Sequence, residues 1–411
     1  MSATSTPHCR FCASPLTTTF ADLGSTPLAN RNLTPGTEAS EQRYPLIARV
    51  CSACLLVQVD DSVPPDAIFS DYDYFSSFAT SWVEHAGRYA TAMRARFGLT
   101  SDSLVVEVAS NDGYLLQHFK TAGVPVLGIE PARNVAAAAT AKGITTEVAF
   151  FGRETATRLR DAGRGADLMA ANNVLAHVPD TCDFAGVFAV LLKPEGVATF
   201  EFPHVLRQIE GMQFDTIYHE HFFYLSLVAV ERIMASAGLR VFDVEELPTH
   251  GGSLRLFVCH ELATHAPTTG LVAMRALEHK HHLDTLDGYL GFAGRITAVK
   301  SSFAAFMAQA QAEGKSVAAY GAAAKGNTFL NVCGIGYPQI AAVYDRNPAK
   351  QDKLTPGTHI PIRDPARLCI DKPDYIVILP WNIADEVVSS MQFVKAWGGQ
   401  FVIAVPETRI L

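Results

Sequence analysis

Short apolar strands alternate with helices along most of this chain, and that alternation leaves few folds open. Leu104–Val108 is a first strand, and Tyr114–Thr121 a helix. Val126–Glu130 and Val135–Lys142 repeat the pair, and Asp167–Ala171 and Val197–Phe202 are further strands, each led by a helical stretch. Such an order predicts a parallel sheet covered by helices on both faces. After a helix at Val228–Ala237, Leu239–Val244 and Ser253–Cys259 follow as two strands in a row. An Ala- and Leu-rich helical layer comes next (Leu271–Lys280, Ile296–Gln311). The pattern then restarts with Val317–Tyr320, a Gly/Ala loop, Phe329–Val332, Ile340–Tyr344, Tyr375–Leu379 and Phe401–Val405. The chain therefore reads as α/β, a doubly wound unit followed by a second, smaller one.

Size agrees, since 411 residues exceed one ordinary core and two or three domains are expected. A net charge of −8 gives no broad basic surface, which argues against nucleic acid as a partner. No apolar run reaches the length of a membrane span. Met1–Arg10 lacks the charged start and apolar run of a secretory signal, so a cytoplasmic protein is expected, as a monomer or weak homo-oligomer.

Residues 1–72 are loop-rich and hold four of the eight cysteines, as the pairs Cys9/Cys12 and Cys51/Cys54. A Cys-x-x-Cys turn presents two thiolates together, and two such turns complete a closed tetrahedral zinc site. In a reducing compartment this reading is preferred to disulfides or redox chemistry. With no open position, the zinc is structural, supplying what packing in so loop-rich a segment cannot.

Four further motifs carry chemistry. Glu107-Val108-Ala109-Ser110-Asn111-Asp112-Gly113 runs from a strand into a helix, where small residues let a ligand approach the backbone. Glu130 ends the next strand and suits ribose hydroxyls, or the N-cap of a helix; Asn172 and Asn173 follow a later strand at the same edge. Tyr218-His219-Glu220-His221 packs four ionisable groups into one loop at the carboxyl edge. Acid/base work is preferred to a metal site there, because the two histidines lack i, i+4 spacing. In His250-Gly251-Gly252-Ser253-Leu254-Arg255 the arginine suits a phosphate, or is an exposed hairpin residue. Gly321-Ala322-Ala323-Ala324-Lys325-Gly326-Asn327 joins a strand to a helix, which suits a pyrophosphate on backbone amides and Lys325, or a tight helix–strand contact. Asp345, closing the next strand, also suits NAD.

Taken in order, Cys9-x-x-Cys12, Cys51-x-x-Cys54, Glu107–Gly113, Tyr218–His221, His250–Arg255 and Gly321–Asn327 resemble the sugar C-methyltransferases of antibiotic deoxysugar pathways, over nearly the full length. Alanine 109 departs from the family, which usually has glycine there. The resemblance implies a Rossmann-like S-adenosylmethionine methyltransferase domain (73–265) between a zinc module (1–72) and a helical linker with a C-terminal nucleotide-sugar-binding domain (266–411). It implies cofactor contacts from Glu107, Ala109, Asn111, Asp112, Gly113, Glu130, Asn172 and Asn173. It further implies a dTDP-linked keto-deoxysugar, held by His250, Ser253, Arg255, Gly321, Lys325, Gly326 and Asn327. The methyl would go to the carbon beside the ketone, C3 ahead of C5. His221 resembles the general base; Tyr218, His177 and Tyr72 are candidates around the enolate, and Glu220 would orient or balance His221. The alternative is an NAD(P)-dependent nucleotide-sugar oxidoreductase using the Lys325 loop and Asp345. A zinc-ribbon nucleic-acid-binding protein is a third reading, disfavoured by the charge.

Overall fold

The computed structural model describes residues 6–63, 75–78 and 80–411. Tyr72 lies outside the described residues. Three sheets organise the chain.

The N-terminal segment is not merely loops. It forms β1 (Thr18–Thr26), β2 (Tyr44–Val50) and β3 (Val57–Val59), all antiparallel. The signal was there: Leu46, Ala48 and Val50 alternate inward along β2, the period of a half-buried strand.

The central unit opens with helix α1 (Thr80–Phe97), which the sequence reading passed over. Ala86, Tyr89, Ala90 and Met93 recur at helical spacing and bury one face. Strands β4 (Val105–Val108), β5 (Val126–Ile129), β6 (Thr146–Glu147), β7 (Ala166–Asn172) and β8 (Leu192–Pro203) pair in parallel. A short β9 (Phe223–Tyr224) leaves this sheet to pair with β3. The hairpin β10 (Leu239–Leu247) and β11 (Ser253–His260) joins β8 antiparallel. The seven strands run β10-β11-β8-β7-β4-β5-β6. The order reverses at β4, and ligands of open α/β sheets bind at the carboxyl edge beside such a reversal.

Two linker helices, α2 (Thr269–Lys280) and α3 (Phe292–Ala312), lead to the C-terminal unit. Its strands are β12 (Val317–Tyr320), β13 (Val343–Tyr344), β14 (Ile362–Arg363), β15 (Tyr375–Ile378), β16 (Gln400–Ile403) and β17 (Arg409–Ile410), with helix α4 (Ala324–Cys333) after β12. They run β14-β13-β12-β15-β16-β17. The first and last parts of the chain share one core. Phe20 of β1 stacks on Phe292 of α3 with ring centroids 4.5 Å apart. Among the described residues no helix is long and apolar enough to cross a membrane.

A candidate active site at the carboxyl edge

The four N-terminal cysteines converge. Their sulfur atoms all lie within 4.8 Å of one another. Cys9 and Cys54 are 3.6 Å apart, Cys12 and Cys51 3.5 Å. Thiolates on a tetrahedral zinc sit about 3.8 Å apart, so the cluster fits that ion. Both turns are built alike: the amides of Ala13 and Leu55 return to the carbonyls of Cys9 and Cys51, and both residues have positive φ. Among the described residues this is the one cluster with metal-ligand geometry, and His219 and His221 form no such site.

At the edge of β4 the backbone winds tightly, with φ of +53° at Ala109, +50° at Asn111 and +77° at Gly113. Glu130 accepts from the amides of Asn111 (2.9 Å) and Ala132 (2.8 Å), so it fastens this loop and the start of the helix Arg133–Ala141. Burial pushes the Glu107 carboxyl and the neighbouring Tyr114 hydroxyl well up. Among the described residues Glu107 Oε2, Asp112 Oδ1 and Asn172 Oδ1 are buried here without a donor, and the Ser110 hydroxyl is buried without a partner. Three unanswered oxygens so close together suit a cationic group, such as the ammonium of a methionine moiety.

The loop Tyr218–His221 divides its side chains between two neighbours. His219 and Glu220 face the N-terminal sheet: His219 Nε2 meets the Pro45 carbonyl at 3.2 Å, and Asn30 donates to Glu220 at 3.3 Å. Tyr218 and His221 face each other, with the Tyr218 hydroxyl 2.7 Å from His221 Nε2. His221 Nδ1 lies 3.2 Å from the Thr216 carbonyl, which can only accept, so Nδ1 carries the proton and Nε2 the lone pair. Burial holds the His221 imidazole well below the ordinary histidine range, and His177, His250 and Lys325 add to that.

Two expected roles are corrected here. The Glu220 carboxylate does not touch His221; its backbone carbonyl instead receives His177 Nδ1 at 2.7 Å. His177, kept neutral by burial, thereby spends its one N–H and has none left for an enolate. Its ring packs edge-on against His221, centroids 4.7 Å apart.

His250, at φ +54°, lies opposite, 3.4 Å from the Asn173 amide and edge-on to Trp82. Lys325 reaches this crevice from α4. It donates to Asn382 at 2.7 Å and lies over the Trp381 ring at 4.6 Å.

Other expected substrate contacts are occupied within the protein. Arg255 is buried, donating to Glu201 and Glu245 at 2.9 Å each, so it meets carboxylates rather than phosphate. Ser253 donates to the Thr249 carbonyl. Asn327 donates to the Ala29 carbonyl at 2.8 Å, which pins the N-terminal segment. Gly326 is a close packing point, since a Cβ there would meet Leu379 at 2.6 Å. Gly321, at φ +86°, likewise abuts Pro380. Asp345 accepts from the Ala322 amide at 2.7 Å and braces the loop. Sequence reasoning missed His85, Glu201, Asp215 and Trp381. His85 pairs with Glu201, from a distant strand, at 3.0 Å and stacks on Trp82 of its own helix.

Comparison with known proteins agrees with this layout. Residues 9–69 match a zinc binding domain family, 82–244 a methyltransferase domain and 248–406 a C-methyltransferase C-terminal domain. The C-methyltransferase NovU of Streptomyces niveus is 35% identical over 98% of this chain and 96% of its own length. Among solved structures, magnesium protoporphyrin IX methyltransferase of Synechocystis with bound S-adenosylmethionine is 14% identical, covering 47% of this chain and 88% of that one, with a TM-score of 0.34. An S-adenosylmethionine-dependent methyltransferase of Clostridium acetobutylicum is 11% identical, covering 47% and 95%, with a TM-score of 0.35.

Proposed function

Because the chain belongs to the C-methyltransferase family that NovU represents, with S-adenosylmethionine as cofactor and a structural zinc, we propose that it methylates the carbon beside the ketone of a dTDP-linked keto-deoxysugar, at C3. The same reading divides the chain into a zinc module (1–72), a methyltransferase domain (73–265), and a linker with a nucleotide-sugar-binding domain (266–411).

The observation that carries it is the Tyr218–His221 pair. His221 is neutral, fixed by Thr216, and among the described residues its Nε2 lone pair is met only by the Tyr218 hydroxyl, so once that hydroxyl turns away it can take a proton from a carbon acid at neutral pH. The pair then divides the work. The α-proton passes to Nε2, and the Tyr218 hydroxyl, released from that nitrogen, turns its O–H to the enolate oxygen. Lys325 adds a positive field over the same crevice and answers the phosphates. His177 walls the base and keeps water from it. Bound S-adenosylmethionine supplies an electrophilic methyl on a sulfonium centre. Its ammonium would meet Glu107, Asp112 and Asn172, and its ribose Glu130.

Calorimetric titration with S-adenosylhomocysteine, beside NAD and NADP, followed by turnover of a panel of dTDP-keto sugars, tests the reading. Binding of S-adenosylhomocysteine alone and a methylated C3 support it. Methylation of a compound with no ketone neighbour would sink the enolate route.

A further inference from the structure

One turn, Gln213–Thr216, meets the His250 turn, helix α4, Trp381 and His221. Gln213 donates to the Gly251 carbonyl at 2.8 Å and holds the turn that carries His250. Phe214 packs on Phe329 of α4, ring centroids 6.0 Å apart. Asp215 accepts from the Trp381 indole at 2.7 Å. The next carbonyl, that of Thr216, fixes the proton of His221. Trp381 and Lys325 belong to the C-terminal unit, and His221 to the central one.

Asp215 is the unexpected member. It is 1% exposed and, among the described residues, its Oδ1 has no hydrogen-bond partner. A carboxylate in such a place is costly unless a cation answers it. Lys325 answers it across the Trp381 ring: its Nζ lies 4.6 Å from the ring centre while the indole N–H donates to Asp215, and where burial pushes the Asp215 carboxyl up to about 6, Lys325 opposes the rise. An apolar side chain would fill the volume without the cost. What the carboxylate adds is a fixed acceptor for Trp381 and a counter-charge for Lys325, one residue before the carbonyl that orients the base.

We infer that Asp215 is a positioning residue, which seats Trp381 and Lys325 of the C-terminal unit against the turn that orients His221, closing the two units into one crevice. The inference rests on the C-methyltransferase reading of His221.

Imidazole nitrogen-15 spectra of the full chain read the His221 ring without substrate, its signals assigned by their loss in His221→Gln. In Asp215→Ala and Trp381→Phe proteins that still bind S-adenosylhomocysteine, the His221 signals should move from a fixed Nδ1–H tautomer towards a mixture. Asp215→Asn, whose amide oxygen still accepts from Trp381, should keep the wild-type signals. On the keto-sugar panel, kcat should fall roughly 10-fold or more in the first two variants and return to within about threefold in the third. The Asp215→Ala/Trp381→Phe double variant should be no slower than the worse single one. Unchanged His221 signals in both Asp215→Ala and Trp381→Phe would overturn the inference, whatever the activity. Wild-type protein with a fixed tautomer but no turnover on any keto sugar would count against the substrate alone.

Discussion

The Tyr218 hydroxyl bonds to His221 Nε2 at 2.7 Å while the other nitrogen of the same ring is held by the Thr216 carbonyl. A base presented in one tautomer, with its lone pair met by a hydroxyl that can rotate about its own C–O bond, is placed for proton abstraction. Replacing His221 by Ala should therefore lower turnover roughly a hundred- to ten-thousand-fold, with the affinity for S-adenosylhomocysteine unchanged. Normal turnover by the variant would remove His221 as the base.

The pH dependence follows from burial. His221 and His177 are both held below the ordinary histidine value of about 6.5. Protonation of Nε2 stops the reaction, so the acid limb of kcat/KM should lie below about pH 6.5 and activity should stay flat through neutrality. The same groups bind protons more readily in the unfolded chain than in the folded one. Stability should accordingly decline as pH falls through 6.5 towards the lower folded values, with no contribution from these rings above that window. An acid limb at or above neutral pH would argue that another group is the base.

Zinc should matter to turnover although it lies outside the crevice. The N-terminal sheet carries β9 on its edge, pairing Val57 with Tyr224, and it holds His219 through Pro45, while Asn30, in the turn after β1, holds Glu220. Cys51→Ser should release the metal, since metal binding and folding of this segment are coupled. It should also speed hydrogen exchange at Phe223–Tyr224 and cut kcat. A variant that retains one zinc per chain and full stability would rule out the four-cysteine site.

Alanine 109 sits at φ +53°, in the left-handed region that glycine enters freely. Ala109→Gly should stabilise the protein by about 1 kcal/mol and tighten S-adenosylhomocysteine binding or leave it alone, as read by denaturant unfolding and calorimetry. Loss of stability would mean that packing of the methyl group outweighs the backbone strain.

Local patterns were the legible part. Alternating strands and helices and the Cys-x-x-Cys spacing are each written within a short stretch of chain, so the α/β architecture and the zinc cluster could be read directly. Partnerships between distant segments could not. Nothing near Asp215 announces Trp381, and nothing near Arg255 announces Glu201; only the folded sheet brings them within 3 Å. The strands β1–β3 were missed because Pro, Thr and Gly between them masked a clear alternation in β2. Glu220 was misassigned for a related reason: in a tight loop adjacent side chains point to opposite neighbours, and sequence gives their order without their direction.

Arg255 provides the sharpest separation between the two roles its sequence context allowed. A phosphate-binding arginine is exposed to ligand, and its loss raises KM while sparing the fold. Here the guanidinium is 5% exposed, lies over the Tyr89 ring at 4.7 Å, and bonds to a Glu201 carboxylate that also receives His85 and Thr249. Removing it leaves Glu201 buried without the guanidinium that answers its charge. Arg255→Ala should destabilise the protein by about 3–5 kcal/mol, seen in chemical denaturation, while the KM of the fraction that remains folded changes little. Because Thr249 precedes His250, some loss of kcat should accompany the instability as the turn loosens. A stable Arg255→Ala protein with a greatly raised KM would give the opposite answer, and would return the arginine to the phosphate site.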